Sequence, residues 1–153
     1  MNSFYYSMTG KDRQPDMDIE AMEEMSRYWA TVRPYYKGVD KAEPYPNTEV
    51  YYCEMPGGQF SNLRQQAKAV GLGDRWNEIK KMYHDVNLMF GDIVKVTPSS
   101  KVVGDMTLYM VQNDLTEKDI YEKGDTLDFP QSVVEFFEGR LGFPYQGFPE
   151  KLQ

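Results

Sequence analysis

The sequence predicts a mainly α fold, one domain with one or two short extended pieces, and three observations lead there. Apolar residues recur three and four apart along most of the chain, the period of a helix with one buried face. Gly and Pro interrupt those runs where helices start and stop. The 153 residues suit a single domain with one core, and 41% apolar and 27% charged content is ordinary for a globular protein,.

The first periodic run covers 18–39. Ile19, Met22, Met25, Trp29, Val32 and Tyr36 share a stripe, with Glu20, Glu23, Glu24 and Arg27 mostly off it. Pro34 removes a backbone donor and crowds the turn before it, so it kinks this helix or ends it early. Residues 42–47, with Pro44 and Pro46, read as a loop. Residues 49–53 are β-branched and aromatic and suit a short extended segment.

Gly57 and Gly58 introduce a second helix through Leu63, Ala67 and Val70, closed by Gly71. Asp74 is placed to cap a third, in which Trp76, Ile79, Tyr83, Val86 and Phe90 are spaced three and four apart before Gly91 ends it. An extended link over 93–96 reaches Thr97-Pro98. Threonine offers an N-cap oxygen and proline needs no donor at the first helical position, so a fourth helix starts there, marked by Val102, Val103, Met106 and Met110. Thr116 opens a short helix, with Asp119 completing a capping box. Pro130 opens another carrying Val133, Val134, Phe136 and Phe137. An aromatic Gly/Pro loop comes after Leu141. Met1-Asn2-Ser3 runs directly into Phe4-Tyr5-Tyr6, and Pro149 begins a helix that stops at Gln153, so both ends are expected to be cut edges of a longer polypeptide.

Charge narrows the function. Lys and Arg number 17 against 24 Asp and Glu, a net −7, which opposes binding to nucleic acid or to an anionic membrane surface. No stretch approaches the roughly 20 apolar residues of a membrane span. Cys53 is the single cysteine, which excludes an internal disulfide and suits a cytoplasmic setting,. His84 is the single histidine, so no metal site of several His or Cys ligands is expected inside the chain,. Twelve tyrosines suggest a wall or an interface in addition to a core.

Two polar strings stand out. In Glu54-Met55-Pro56-Gly57-Gly58-Gln59 a glycine turn leads a helix, where backbone N–H groups can meet a polar ligand; it is equally a tight turn and nothing more. In Val94-Lys95-Val96-Thr97-Pro98-Ser99-Ser100-Lys101 three hydroxyls and two amines crowd a helix start. They serve as a cap and first-turn polarity, or as a site, and the two are compatible because a capping oxygen still has a hydrogen to donate. His84 has no partner in helical register and reads as a surface or half-buried side chain. Cys53 is a nucleophile only with a base beside it, and otherwise a small buried side chain. The acids Asp16, Asp18, Glu20, Glu23 and Glu24 suit a helix N-terminus and a solvated face.

The strings 54–63 and 90–106 resemble the carboxyltransferase domain of the pyruvate carboxylase family. Asp128-Phe129-Pro130-Gln131-Ser132-Val133-Val134 and the segment 147–153 are similar to the next stretch of chain in that family, and the likeness extends over essentially all 153 residues. The resemblance implies a helical funnel segment that comes after a TIM barrel. Residues 1–40 would be the barrel's last strand-helix unit, 41–128 the funnel over the active site, and 129–153 the start of the linker to the tetramerisation domain.

It also implies chemistry. A carrier domain brings carboxybiotin, CO2 is released, and the enolate of pyruvate captures it to give oxaloacetate. Thr97 takes the family's proton-relay role, for which a hydroxyl fixed at a helix start is suited because it gives one proton while accepting another. Gln59, Ser100 and Lys101 fall to the biotin pocket, the last two as donors to negative charge on the ureido oxygen. Biotin is implied on another domain, and a divalent metal and ATP belong to the parent and not to this segment. Implied partners are the remaining domains, the biotin carrier among them, in a homo-tetramer. Two other readings stand beside this one: a segment of an oxaloacetate decarboxylase α chain or transcarboxylase subunit, and a helical interaction module without catalysis. The intact Thr-Pro-Ser-Ser-Lys string and Gln59 favour the carboxylase, and a fragment without metal site, ATP site or biotinylated lysine is expected to be inactive alone.

Overall fold

The computed structural model describes residues 2–40 and 48–152. Among them every regular element is an α-helix or a 3-10 turn, and no strand is present. The chain divides into two compact units, Met1–Ala42 and Glu43–Gln153.

The first unit contains α1 (Asn2–Met8) and α2 (Ile19–Val32). The opening residues are helical where the resemblance implies a strand. The Ser7 and Thr9 hydroxyls donate to the Phe4 and Tyr5 carbonyls at 2.8 and 3.2 Å, and no described strand offers the ladder that an extended backbone requires. Asn2 Nδ2 donates to Glu23 Oε1 at 2.7 Å and ties α1 to α2. The Asp18 carboxylate caps α2 by accepting the Ala21 N–H at 3.0 Å,. Pro34 ends α2, and Arg33–Tyr36 tightens into a 3-10 turn. The expected apolar stripe is there, but it buries none of its side chains fully; Met25 and Trp29 remain 59% and 56% exposed.

In the second unit α3 (Glu49–Cys53) replaces the expected extended segment. Val50 and Cys53, three apart, turn inward, while Tyr51 and Tyr52 stay exposed; strand alternation would have put Val50 and Tyr52 on one face. The loop expected over 42–47 lies outside the described residues. α4 (Gly57–Ala69) ends as expected at Gly71, whose φ of +80° is the left-handed closure glycine permits,.

α5 (Trp76–Met89) begins one step later than Asp74 would set it. A 3-10 turn, Gly73–Arg75, intervenes and leaves Arg75 at the cap position. Its guanidinium donates to Glu78 Oε1, Asp114 Oδ1 and the Val111 carbonyl, each at 2.7 Å. That side chain fastens the entrance of α5 to the far end of α6 (Ser99–Gln112), and Asp74 makes no cap bond. α7 (Glu117–Lys123) has the expected capping box between Thr116 and Asp119, and α8 (Gln131–Phe137) comes directly after Pro130.

α6 is the central element and packs against α4, α5 and α8. Val102, Val103, Met106 and Met110 are all buried, facing Leu63 and Ala67 of α4 and Ile79, Tyr83 and Val86 of α5 within the same core. Each large apolar side chain so buried contributes about 1.5–3 kcal/mol. Phe90, Phe136, Phe137 and Phe148 form an aromatic cluster, with centroids 5.1 Å apart for Phe90–Phe137 and 5.2 Å for Phe136–Phe148. Phe148 thereby fastens the Gly/Pro tail to α8.

Candidate functional site

The two polar strings meet across the junction of α4 and α6. Glu54 closes α3 in the left-handed region at φ 53°, and the buried Met55 anchors the turn behind it. Pro56 then passes into α4, its carbonyl accepting the Phe60 N–H at 2.8 Å. This turn sends Gln59, half-buried on the first turn of α4, against Gly104 of α6. A Cβ at Gly104 would collide with Gln59 Nε2 and lie 3.2 Å from Leu63 Cδ1. The bare backbone at Gly104 is thus the seat of the Gln59 amide.

The approach to α6 is an extended link with no strand partner. Ile93 is buried and holds it down, whereas Val94 and Val96 are exposed. Lys95 Nζ lies 3.2 Å from Glu54 Oε2, and that oxygen is also 3.7 Å from His84 Nδ1. The link that carries Thr97 is therefore bound to the turn that carries Gln59. His84 is half-buried, and its Nδ1 has no hydrogen-bond partner among the described residues.

Thr97 does not cap α6. The Thr97-Pro98 peptide is cis, the helix starts at Ser99, and Pro98 occupies the cap, its carbonyl accepting the Lys101 and Val102 N–H groups at 3.0 and 3.3 Å. The hydroxyl that organises this turn is that of Ser99, which accepts the Val96 N–H at 3.1 Å and lies 2.5 and 2.6 Å from the Val94 and Val96 carbonyls. Thr97 is left exposed, and its hydroxyl has no partner among the described residues.

Ser100 is buried on the first turn of α6. Its carbonyl accepts the Tyr83 hydroxyl at 3.3 Å, and its own hydroxyl is also unpartnered among the described residues. Burial, with a smaller contribution from Cys53, pushes the Tyr83 phenol above its ordinary range, so it stays a neutral donor under Ser100,. Lys101 is exposed and its ammonium is paired with Asp105 one turn on. Asp105 also accepts from Ser132 Oγ of α8 at 2.5 Å. The structure therefore leaves Gln59, Ser100 and Thr97 with unengaged polar groups and Lys101 with an engaged one. Asp105 and Ser132 were not singled out from sequence; the i, i+4 spacing of Lys101 and Asp105 is visible there, but the bond from α8 is not.

An open cleft of about 420 Å³ borders this region, between Gly91–Val94 strung along one side and Leu141–Gln146 on the other, with Ser99 at its edge. Gln59, Thr97, Ser100 and Lys101 do not line it. Cys53 is fully buried as a free thiol. Among the described residues no group of three His, Cys, Asp or Glu side chains is placed to hold a metal ion, and no helix is long and apolar enough to cross a membrane.

In this helical unit the first turn of α4 meets α6 at Gly104, with polar side chains on both sides, and the comparisons give its family. The profile of the conserved carboxylase domain matches residues 50–153, and the chain belongs to that family. It is 65% identical over 99% of its length to the pyruvate carboxylase of Bacillus subtilis and 59% identical over 99% to that of Staphylococcus aureus. It spans 13% of the length of each of those proteins. The carboxyl transferase domain of Rhizobium etli pyruvate carboxylase, solved with pyruvate and biocytin, superposes with a TM-score of 0.89 at 47% identity, covering 100% of this chain and 26% of that one.

Proposed function

We propose that this chain is part of a biotin-dependent carboxyltransferase that makes oxaloacetate from pyruvate, and that Thr97 carries the proton transfer. The observation behind it is the pair of unengaged hydroxyls three residues apart, Thr97 exposed and Ser100 buried, with Ser100 one helical turn before Gly104, on which the Gln59 amide sits. Such a set suits a ureido group, which presents one strong acceptor oxygen and needs donors around it. Biotin, carried on another domain, supplies the carboxyl group.

The chain's own residues then divide the work. Thr97 Oγ1 accepts the proton leaving the pyruvate methyl group while giving its own hydrogen to the biotin ring nitrogen that has lost its carboxyl group, so the hydroxyl carries no charge through the transfer. Its positioning comes from the Ser99 hydroxyl knot and the Lys95–Glu54 pair and not from a cap bond. Ser100 Oγ and Lys101 Nζ donate to negative charge at the ureido oxygen. Gln59 lines the biotin pocket from its seat on Gly104, one turn along α6 from Ser100.

Residues 1–40 are assigned to the end of a barrel, 41–128 to a funnel over its mouth, and 129–153 to the linker toward a tetramerisation domain. The metal and ATP sites and the biotinylated lysine belong to the rest of a homo-tetrameric polypeptide. The proposed setting is the cytoplasm, in keeping with the free thiol of Cys53,.

The test uses the full-length enzyme with Thr97→Ala and Thr97→Ser, measuring biotin-dependent ATP cleavage and oxaloacetate formation separately. Loss of carboxyl transfer in Ala with cleavage and folding retained, and partial activity in Ser, is the expected result. Transfer left intact in Thr97→Ala removes the relay assignment.

A further inference from the structure

Lys101 is the one member of the proposed site whose polar group is already engaged, and the way it is engaged is asymmetric. Its ammonium pairs with Asp105, its neighbour one turn along α6. Isolated i, i+4 pairs of this kind on a helix surface are weak, because two long side chains must be ordered against water. Here one partner is held in place. The Lys101 side chain is 59% exposed and that of Asp105 only 20%. Ser132, from the first turn of α8, donates its Oγ hydrogen at 2.5 Å to the same Asp105 oxygen that meets the ammonium. α6 and α8 pack against each other in the core, so the carboxylate is fixed from two helices.

The pair also lies where it matters. Lys101 and Asp105 form a row along α6 adjacent to the row of Ser100 and Gly104, on which Gln59 sits. An unpartnered lysine in that position would sample many rotamers, and each productive contact would carry the cost of ordering it.

We propose that Asp105, held by Ser132, is a positioning residue for Lys101: it confines the ammonium beside the pocket, from which it turns to the ureido oxygen as charge develops there. Asp105 touches no reacting atom and acts through Lys101 alone. Ser132 acts one step further back, and through it the Asp128–Val134 string, which leads into α8, contributes to the chemistry of α6. This rests on the proposed role of Lys101 as a donor to the ureido group.

The test uses the full-length enzyme with Lys101→Met, Asp105→Asn, Ser132→Ala and the two double variants that include Lys101→Met. Oxaloacetate formation and biotin-dependent ATP cleavage are measured separately, with thermal midpoints alongside. Asp105→Asn is expected to slow transfer on the order of tenfold or more while cleavage is kept, as displaced catalytic groups do. Ser132→Ala should give a smaller loss in the same direction. In the Lys101→Met background neither change should slow transfer further, an outcome that a merely structural role would not produce. Should Asp105→Asn fold poorly, Ser132→Ala and Asp105→Glu carry the comparison, the latter recovering part of the rate. The proposal is overturned if Lys101→Met impairs transfer and the Asp105 and Ser132 changes do not, or if their losses persist undiminished in that background. Lys101→Met with transfer intact removes the donor role of Lys101 itself, and the positioning role goes with it.

Discussion

Gln59 Nε2 fills the space in which a side chain at Gly104 would lie, so the first turn of α4 is seated directly on the backbone of α6. The obstacle is the flexible end of a glutamine and, at 3.2 Å, one methyl of Leu63. Gly104→Ala should therefore be tolerated by the fold. The gain in helix propensity, roughly 1 kcal/mol, offsets the shift of Leu63, and the stability change should stay within about 1 kcal/mol. The amide of Gln59 has no such freedom if it must face the pocket. Carboxyl transfer in the full-length enzyme should fall on the order of tenfold, and the fall should vanish when Gln59 is already alanine. A large drop in thermal midpoint with unchanged transfer would contradict this.

The Lys95–Glu54 pair joins the two polar strings at 3.2 Å, with Lys95 only 15% exposed. Partial exposure of Glu54 limits its worth to about 1 kcal/mol or less. Its larger effect should be on the order of the Thr97 segment. In Glu54→Gln the amides of 94–97 should exchange hydrogen faster than in the wild type, with core amides of α5 and α6 unchanged. Uniform acceleration across the second unit would mean a global loss of stability instead.

Acid should loosen the second unit through two carboxyls. The hydrogen bond from Lys123, reinforced by Thr116, holds Asp119 below its ordinary range, and the one from Arg75 does the same for Glu78. A carboxyl lowered on folding stabilises fully above its unfolded value, about 4, and that share disappears as pH falls through the folded value. Lys123 is raised by Asp119, so its share is complete below the ordinary lysine range and fades as pH rises through its folded value. Glu78 and Lys123 are open to solvent and Asp119 partly so, which keeps the effect modest,. Urea midpoints should decline from about pH 4 downward, with a shallower decline in Asp119→Asn. Equal slopes in the two proteins would assign the acid sensitivity elsewhere.

Which elements were legible depends on how far each is set by its own residues. α5 and α6 bury stripes spaced three and four apart, and α7 carries both halves of its capping box in four residues, so local pattern and tertiary packing agree. α3 misleads because Val50, Tyr51 and Tyr52, three of its five residues, have strand-forming side chains; the inward pair Val50 and Cys53 was the helical signal, too short to outweigh composition,. At Asp74 and Thr97 the residue type was right for a cap, but a 3-10 turn in one case and a cap at Pro98 in the other moved the helix start beyond it. The site strings were legible as strings. What joins them, Gln59 on Gly104 and Ser132 on Asp105, spans tens of residues and arises from packing alone.

The apolar stripe of α2 predicts how the segment behaves alone. Met25 and Trp29 lie four apart on one face and are more than half exposed, with Tyr28 and Tyr36 also open to solvent. Contiguous apolar surface of this kind rarely stays uncovered in a monomer. If residues 1–40 belong to the end of a barrel, the rest of that barrel covers the stripe in the full-length protein, and the isolated 153 residues expose it. The isolated segment should then self-associate at high concentration in sedimentation velocity, and Met25→Lys with Trp29→Glu should return it to monomer. It should also make no oxaloacetate when supplied with pyruvate and the carboxylated carrier. A strictly monomeric profile at high concentration would remove this support for the barrel assignment.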